Sequence, residues 1–186
     1  MRYKDIVLAS CLAAIVAVPV ALSANTNESV PDPTNVQDIA DHLSEFEQRA
    51  AQVSLDAEMV RSLSQDHQIN WRTHAYYLNN LREDVNSMGR LLSELEKMKS
   101  NGSEGQQLAI QRSRPHLVAL AAETTEALNL LQVRSENALR PQYKQTVADL
   151  SRQAGILYQT LDTILDYHDA EDRLDSLEAS HSGSGI

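Results

Sequence analysis

Cysteine is nearly missing from this chain: Cys11 is the only one in 186 residues. Glycine and proline are also scarce, at 6 and 5, and there is one Phe and one Trp. Each shortage excludes something. The low Gly and Pro content, with strand formers that never alternate over a useful length, argues against sheets and for helix. Cys11 lies inside an N-terminal targeting pattern. Arg2 and Lys4 give a basic start, Ile6 to Leu22 is apolar apart from Ser10, and Ala21-Leu22-Ser23-Ala24 offers small residues for cleavage. This is the layout of a secretory signal peptide over residues 1–24. The alternative is a retained membrane anchor, since the apolar run approaches the ~18–20 residues that span a bilayer. Pro19 and the small residues after it favour cleavage. Leu8-Ala9-Ser10-Cys11 has the letters of a lipoprotein box, but too little apolar sequence precedes it. The mature chain is then expected to hold no disulfide, no thiolate metal site and no cysteine nucleophile.

Positive charge is also short. The net charge is −10, and loss of Arg2, Lys4 and Asp5 leaves −11. Such a chain repels nucleic acid and anionic lipid, so neither a nucleic-acid partner nor membrane association after cleavage is expected.

Catalytic motifs are missing as well. There is no phosphate-binding Gly loop, no G-x-S-x-G and no H-E-x-x-H, and the only E-x-x-H, Glu178 to His181, falls near the C-terminus. The paired motifs of di-iron bundles and the C-x-x-C-H of covalent haem are absent too. No motif implies a cofactor, and the chain reads as a non-enzyme. A hydrolase would need a nucleophile paired with a base, and none is visible.

What is present is apolar rhythm. After a polar leader, residues 25–33, Thr34-x-x-Gln37 suggests a capping box. Ile39, Leu43, Phe46, Ala50, Val53, Ala57 and Val60 then alternate by four and three. A second stripe runs Trp71, His74, Leu78, Leu81, Val85, Met88, Leu92, Leu95. A third is Leu117, Ala121, Thr124, Leu128, Leu131, broadened by Leu120 and Ala127. A fourth is Tyr143, Val147, Leu150, Ala154, Leu157, Leu161, Ile164, His168, with Gly155 inside it and Leu174 and Leu177 extending it. Each is a narrow helical face that needs another helix to cover it. Asn101-Gly102 and Gly105 mark a turn where left-handed backbone is tolerated, and Ser103-x-x-Gln106 offers another capping box. Pro115 either kinks the third helix or marks its start with Ser113 as cap. Pro141 suits a first helical position.

The spacing predicts an all-α, up-and-down four-helix bundle over residues 34–178, followed by a loose tail, 179–186. The alternative is a long antiparallel helical hairpin or coiled coil. It turns on residues 64–70, which are polar and could form a turn capped by Asn70, yet the stripe can be counted straight through Ser64 and His67. Without a turn, residues 34–99 would form one helix roughly 100 Å long at ~1.5 Å per residue.

In the bundle, His42, His116 and His168 fall near one level, with Met88 close to it. Converging imidazoles could bind a transition metal through His42, His116 and His168, or haem iron through His168 with His42 or Met88. The plainer expectation is three boundary histidines and no metal or cofactor. His67, Trp71 and His74 share a face and read as a helix-end core layer rather than a functional surface. Tyr76, Tyr77, Tyr143, Tyr158 and Tyr167 read as packing residues with wet hydroxyls. Asp162, Asp166, Asp169, Glu171, Asp172 and Asp175 make the end of the last helix acidic: a solvated face first, with a loose divalent-cation site or a receiver for a basic partner as the alternatives. Arg112, Arg114 and His116 could pair with those acids. The functional expectation is an exported periplasmic or extracellular module that binds a protein partner or itself. Tyr76, Tyr77 and Ile69 are the positions where apolar surface beyond the needs of the core would show. The alternative is a metal- or haem-binding bundle built on the histidine layer.

Overall fold

The computed structural model describes residues 33–66, 68–133 and 140–182. The four helices are α1 (Pro33–Leu63), α2 (Trp71–Met98), α3 (Glu104–Val133) and α4 (Pro141–Ser182), with a short 3₁₀ turn at Lys99–Asn101. Among the described residues there is no strand. All four helices belong to one compact unit, Pro31–Ile186. Each packs against its neighbour in the chain, α4 closes back on α1, and α1 and α3 meet only slightly across the diagonal. This is an up-down-up-down four-helix bundle, not the long hairpin.

The turn between α1 and α2 excludes the hairpin because it satisfies its own polar groups. Ser64 N–H reaches Val60 C=O, Gln65 reaches Ser62, and Asp66 reaches Leu63. Asp66 Oδ1 then accepts from Gln68 N–H at 2.8 Å. Asn70 Oδ1 accepts from Arg72 N–H at 2.9 Å, the predicted cap of α2. Short polar side chains thus replace helical bonds with local ones. His67 lies outside the described residues, so its place in the His67–Trp71–His74 group does too.

The predicted stripes are the core. All seven α1 positions are buried, as are His74, Leu78, Leu81, Val85, Met88, Leu92 and Leu95 of α2. Trp71 is half-buried against the core, with the Arg72 guanidinium 5.3 Å from its ring centre. In α3 the buried face starts earlier than Leu117, at Ala109, Ile110 and Ser113. In α4 it runs from Tyr143 to Leu161.

Three expectations are corrected at helix ends. Ser113 is not a cap: α3 passes through Pro115 unbroken, and the buried Ser113 hydroxyl donates to Ala109 C=O at 2.7 Å. Gly102 does not use left-handed backbone; its φ is −82°. It is buried, and a Cβ there would press on Gln106 and Ile39, so close packing rather than backbone conformation favours glycine. The last helix does not end at Glu178 but continues to Ser182. The Ser103–Gln106 box forms in both directions, at 3.0 and 3.3 Å, and Gln106 Nε2 also donates to Val36 C=O at 3.1 Å, tying α3 to α1. At the other capping site, α1 begins at Pro33, so Thr34 lies inside its first turn. The side chains of residues 33–35 are outside those described.

Candidate functional site

The histidines do not form a layer. His42 lies in a groove between α1 and α2 with Glu45, Arg49, Ser87, Arg90, Leu91 and Glu94. Its Nδ1 is 2.7 Å from Asp38 C=O, one turn back on its own helix. His168 faces other clefts, with Leu43, Ser44 and Glu47 of α1 and with Gly105 and Gln106 of α3. Its Nδ1 is 3.0 Å from Glu171 Oε2. His116 is half-buried on α3, and Met88 is enclosed in the apolar core. Among the described residues no three His, Cys, Asp or Glu side chains stand together as a metal site. The His42–His116–His168 set is therefore not assembled, and the haem pairings of His168 with His42 or Met88 have no common cavity to work in. The physical reason is rotational. His42 and His116 flank their stripes, and such residues point into the groove on one side or the other, not to the axis; His168 is on its stripe but lies past the last buried position, Leu161.

The buried histidine is His74 instead. It is 1% exposed, and its Nδ1 lies 3.1 Å from the hydroxyl of Tyr143, which is fully buried. The rings meet edge to face at 5.5 Å. Burial lowers the His74 pKa and raises that of Tyr143. Both groups are thus held neutral, sharing a hydrogen bond between α2 and α4. The expectation that the tyrosine hydroxyls stay wet fails at Tyr143. It describes Tyr76 and Tyr167, which are exposed, better than Tyr77 and Tyr158, which are half-buried against the core.

Ionic groups line the seams. The Arg114 guanidinium bonds Glu96 of α2 at 2.8 Å, not the acids of α4. Glu58 is held low by its hydrogen bonds from Arg61 and from Ser151 across the α1–α4 seam. Glu47 is pushed up, first by burial and then by Asp162, Asp166 and Asp169 of α4. Asp84 is raised by burial and by Asp56, and Glu123 by burial and by Asp149.

The feature that packing leaves unexplained is the end of α4. It has 42 residues against 30 for α3. His168 is level with Gly105, near the first residue of α3: a Cβ built on Gly105 would fall 2.2 Å from the His168 ring. Residues 169–182 therefore run on past the start of α3, about 21 Å of helix at ~1.5 Å per residue. Every residue from 171 to 181 is exposed. Tyr167, Leu174 and Leu177 are 60%, 60% and 59% exposed. The core of the bundle does not use these three side chains. Leu174 and Leu177 were legible only as a continuation of the last helix, because their exposure depends on where α3 starts. On the opposite part of the molecule, Leu55 and Met59 of α1 and Tyr76 of α2 are also exposed, whereas Tyr77 and Ile69 are half-covered.

No family model, no curated protein and no solved structure matches the chain.

Proposed function

We propose that this protein is a non-enzymatic, exported helical-bundle module of the cell envelope that works by binding another protein. The observation that carries the reading is the projecting arm of α4, with Tyr167, Leu174 and Leu177 in solvent although the bundle core is complete without them. A bundle that only had to fold would gain nothing from this extra length. A helix presented with an apolar strip is a common way to enter a partner's groove. The basic start, apolar run and small residues of positions 1–24 support export, and the resulting compartment is periplasmic or extracellular. No helix among the described residues is long and apolar enough to cross a membrane.

The test is site-specific photocrosslinking in the native cells, with a benzophenone side chain at Leu174 and, as control, at the exposed Gln52 of α1. The expected result is a discrete adduct from Leu174 alone, recovered with the exported fraction. An arm that gives no adduct, or a chain that stays in the cytoplasm, would refute the reading.

A further inference from the structure

The apolar strip of the arm is not the core stripe carried further. The core stripe of α4 runs Leu157, Leu161, Ile164, His168, and its next positions are Glu171, Asp175 and Glu178. The arm's strip is Tyr167, Ala170, Leu174, Leu177, spaced three and four but one residue out of step. One residue is ~100° of rotation around a helix. The hydrophobic face therefore swings off the bundle axis where the bundle stops. Tyr167, its first member, lines a cleft with Glu104, Gln107, Leu108 and Gln111 of α3. The strip thus lies along the α3 flank: Leu174, with Glu171, Asp175 and Glu178, lines a second cleft against Ser103 and Glu104 at the start of α3, and Leu174 and Leu177 stay exposed.

Charge narrows what can cover that flank. Glu171, Asp175 and Glu178 follow one edge of the strip, Asp169 and Asp172 lie further round the helix, and Arg173 alone stands toward the other edge. Glu171 and Glu178 stand one residue after Ala170 and Leu177, along one edge of it. An acidic rim repels a second copy of this acidic chain and an anionic lipid surface, and attracts cations.

Resting on the interaction reading above, we propose that the arm docks a cationic amphipathic helix of another protein. That helix lies along α4 beyond the start of α3, with its apolar side on Tyr167, Leu174 and Leu177 and its Lys or Arg residues toward Glu171, Asp175 and Glu178. The arm then acts as one half of an intermolecular helix pair, and the partner continues the line of α3.

The probe is a fluorescein-labelled 14-residue peptide of Leu and Lys in amphipathic helical order, titrated with residues 25–186 and followed by anisotropy. A Glu-for-Lys peptide serves as the charge control. The expected result is saturable binding of the Lys peptide alone. It should weaken at least tenfold in L174S/L177S at unchanged charge, and at least tenfold in E171Q/D175N/E178Q. All substituted positions are exposed, and circular dichroism checks that each variant keeps its helicity. Failure of the Lys peptide to bind would overturn the proposal. So would binding untouched by L174S/L177S, which is attraction to an acidic surface only. A dimer in sedimentation equilibrium that L174S/L177S abolishes would assign the strip to a second copy and overturn it as well. A Leu174 crosslink in cells without peptide binding would leave the interaction reading standing and remove the cationic-helix assignment.

Discussion

Tyr143 and His74, 69 positions apart in the chain, share a hydrogen bond of 3.1 Å in a place neither side chain can leave. It is the one side chain-to-side chain hydrogen bond among the described residues that is buried. Tyr143→Phe removes the hydroxyl, leaves the imidazole without that partner, and is expected to cost about 1–3 kcal/mol. Urea unfolding of the variant, with His74→Phe and the double substitution completing the cycle, measures the coupling. If the cycle shows no coupling, the bond does not hold the two helices together.

Burial also makes His74 a pH-dependent element. Its pKa lies below the ordinary 6.5 in the fold, so the unfolded chain takes up a proton first. The contribution is fully present above about 6.5 and is lost as pH falls through that value toward the lower folded pKa. Stability is expected to decline as pH falls from 7 to 5.5, and the decline should flatten in His74→Phe. Glu47, Asp84 and Glu123 act in the opposite direction at lower pH. Their raised values mean the fold binds protons more readily than the unfolded chain, so strain among the acids is relieved as they protonate. Melting temperatures from pH 7 to 4 in wild type and His74→Phe separate the two.

Two glycines in helices should respond oppositely to the same change. At Gly89 a Cβ meets nothing within 4 Å, so Gly89→Ala is expected to stabilise by about 0.5–1 kcal/mol. At Gly105 a Cβ would sit 2.2 Å from the His168 ring and 2.8 Å from its Cβ. Gly105→Ala is expected to destabilise by about 1–3 kcal/mol despite the better helix propensity. Paired thermal melts decide. Gly105→Ala melting above wild type would mean that α4 does not approach α3 this closely.

The turn that makes a bundle of a hairpin depends on Asn70. Asn70→Ala takes away the acceptor for Arg72 N–H and is expected to cost about 1 kcal/mol. Hydrogen exchange should show the loss first in the opening turn of α2.

The fold was legible because burial demands periodicity. Positions such as Ile39, Phe46, Leu81 and Leu150 could be placed in the core by counting alone. The polar run at 64–70 left two architectures open, since a stripe can be counted through a turn of the right length. Gly105 could not be read as a contact, because what it touches lies 63 residues away. Ser113 looked like a cap because its burial depends on a face of α3 that begins at Ala109, before Pro115. The histidine layer failed for a related reason. Level along the axis follows from counting, but His42, just off its stripe, faces the groove between α1 and α2, and His168, on its stripe but past the last buried position Leu161, lies in a different cleft. The arm hid in plain view: Leu174 and Leu177 keep helical spacing, and only the position where α3 starts shows that they stay exposed.

Spin labels test the arrangement on which all of this stands. The sole native cysteine is Cys11, so residues 25–186 carry none and two can be introduced cleanly, at Glu45 and Ser87. Both line one groove between α1 and α2. Pulsed dipolar spectroscopy should give a single distance distribution centred below about 30 Å, as neighbouring helices ~8–10 Å apart allow for flexible labels. A distribution near 60 Å, the span of one uninterrupted helix at ~1.5 Å per residue, would contradict the bundle and take the projecting arm with it.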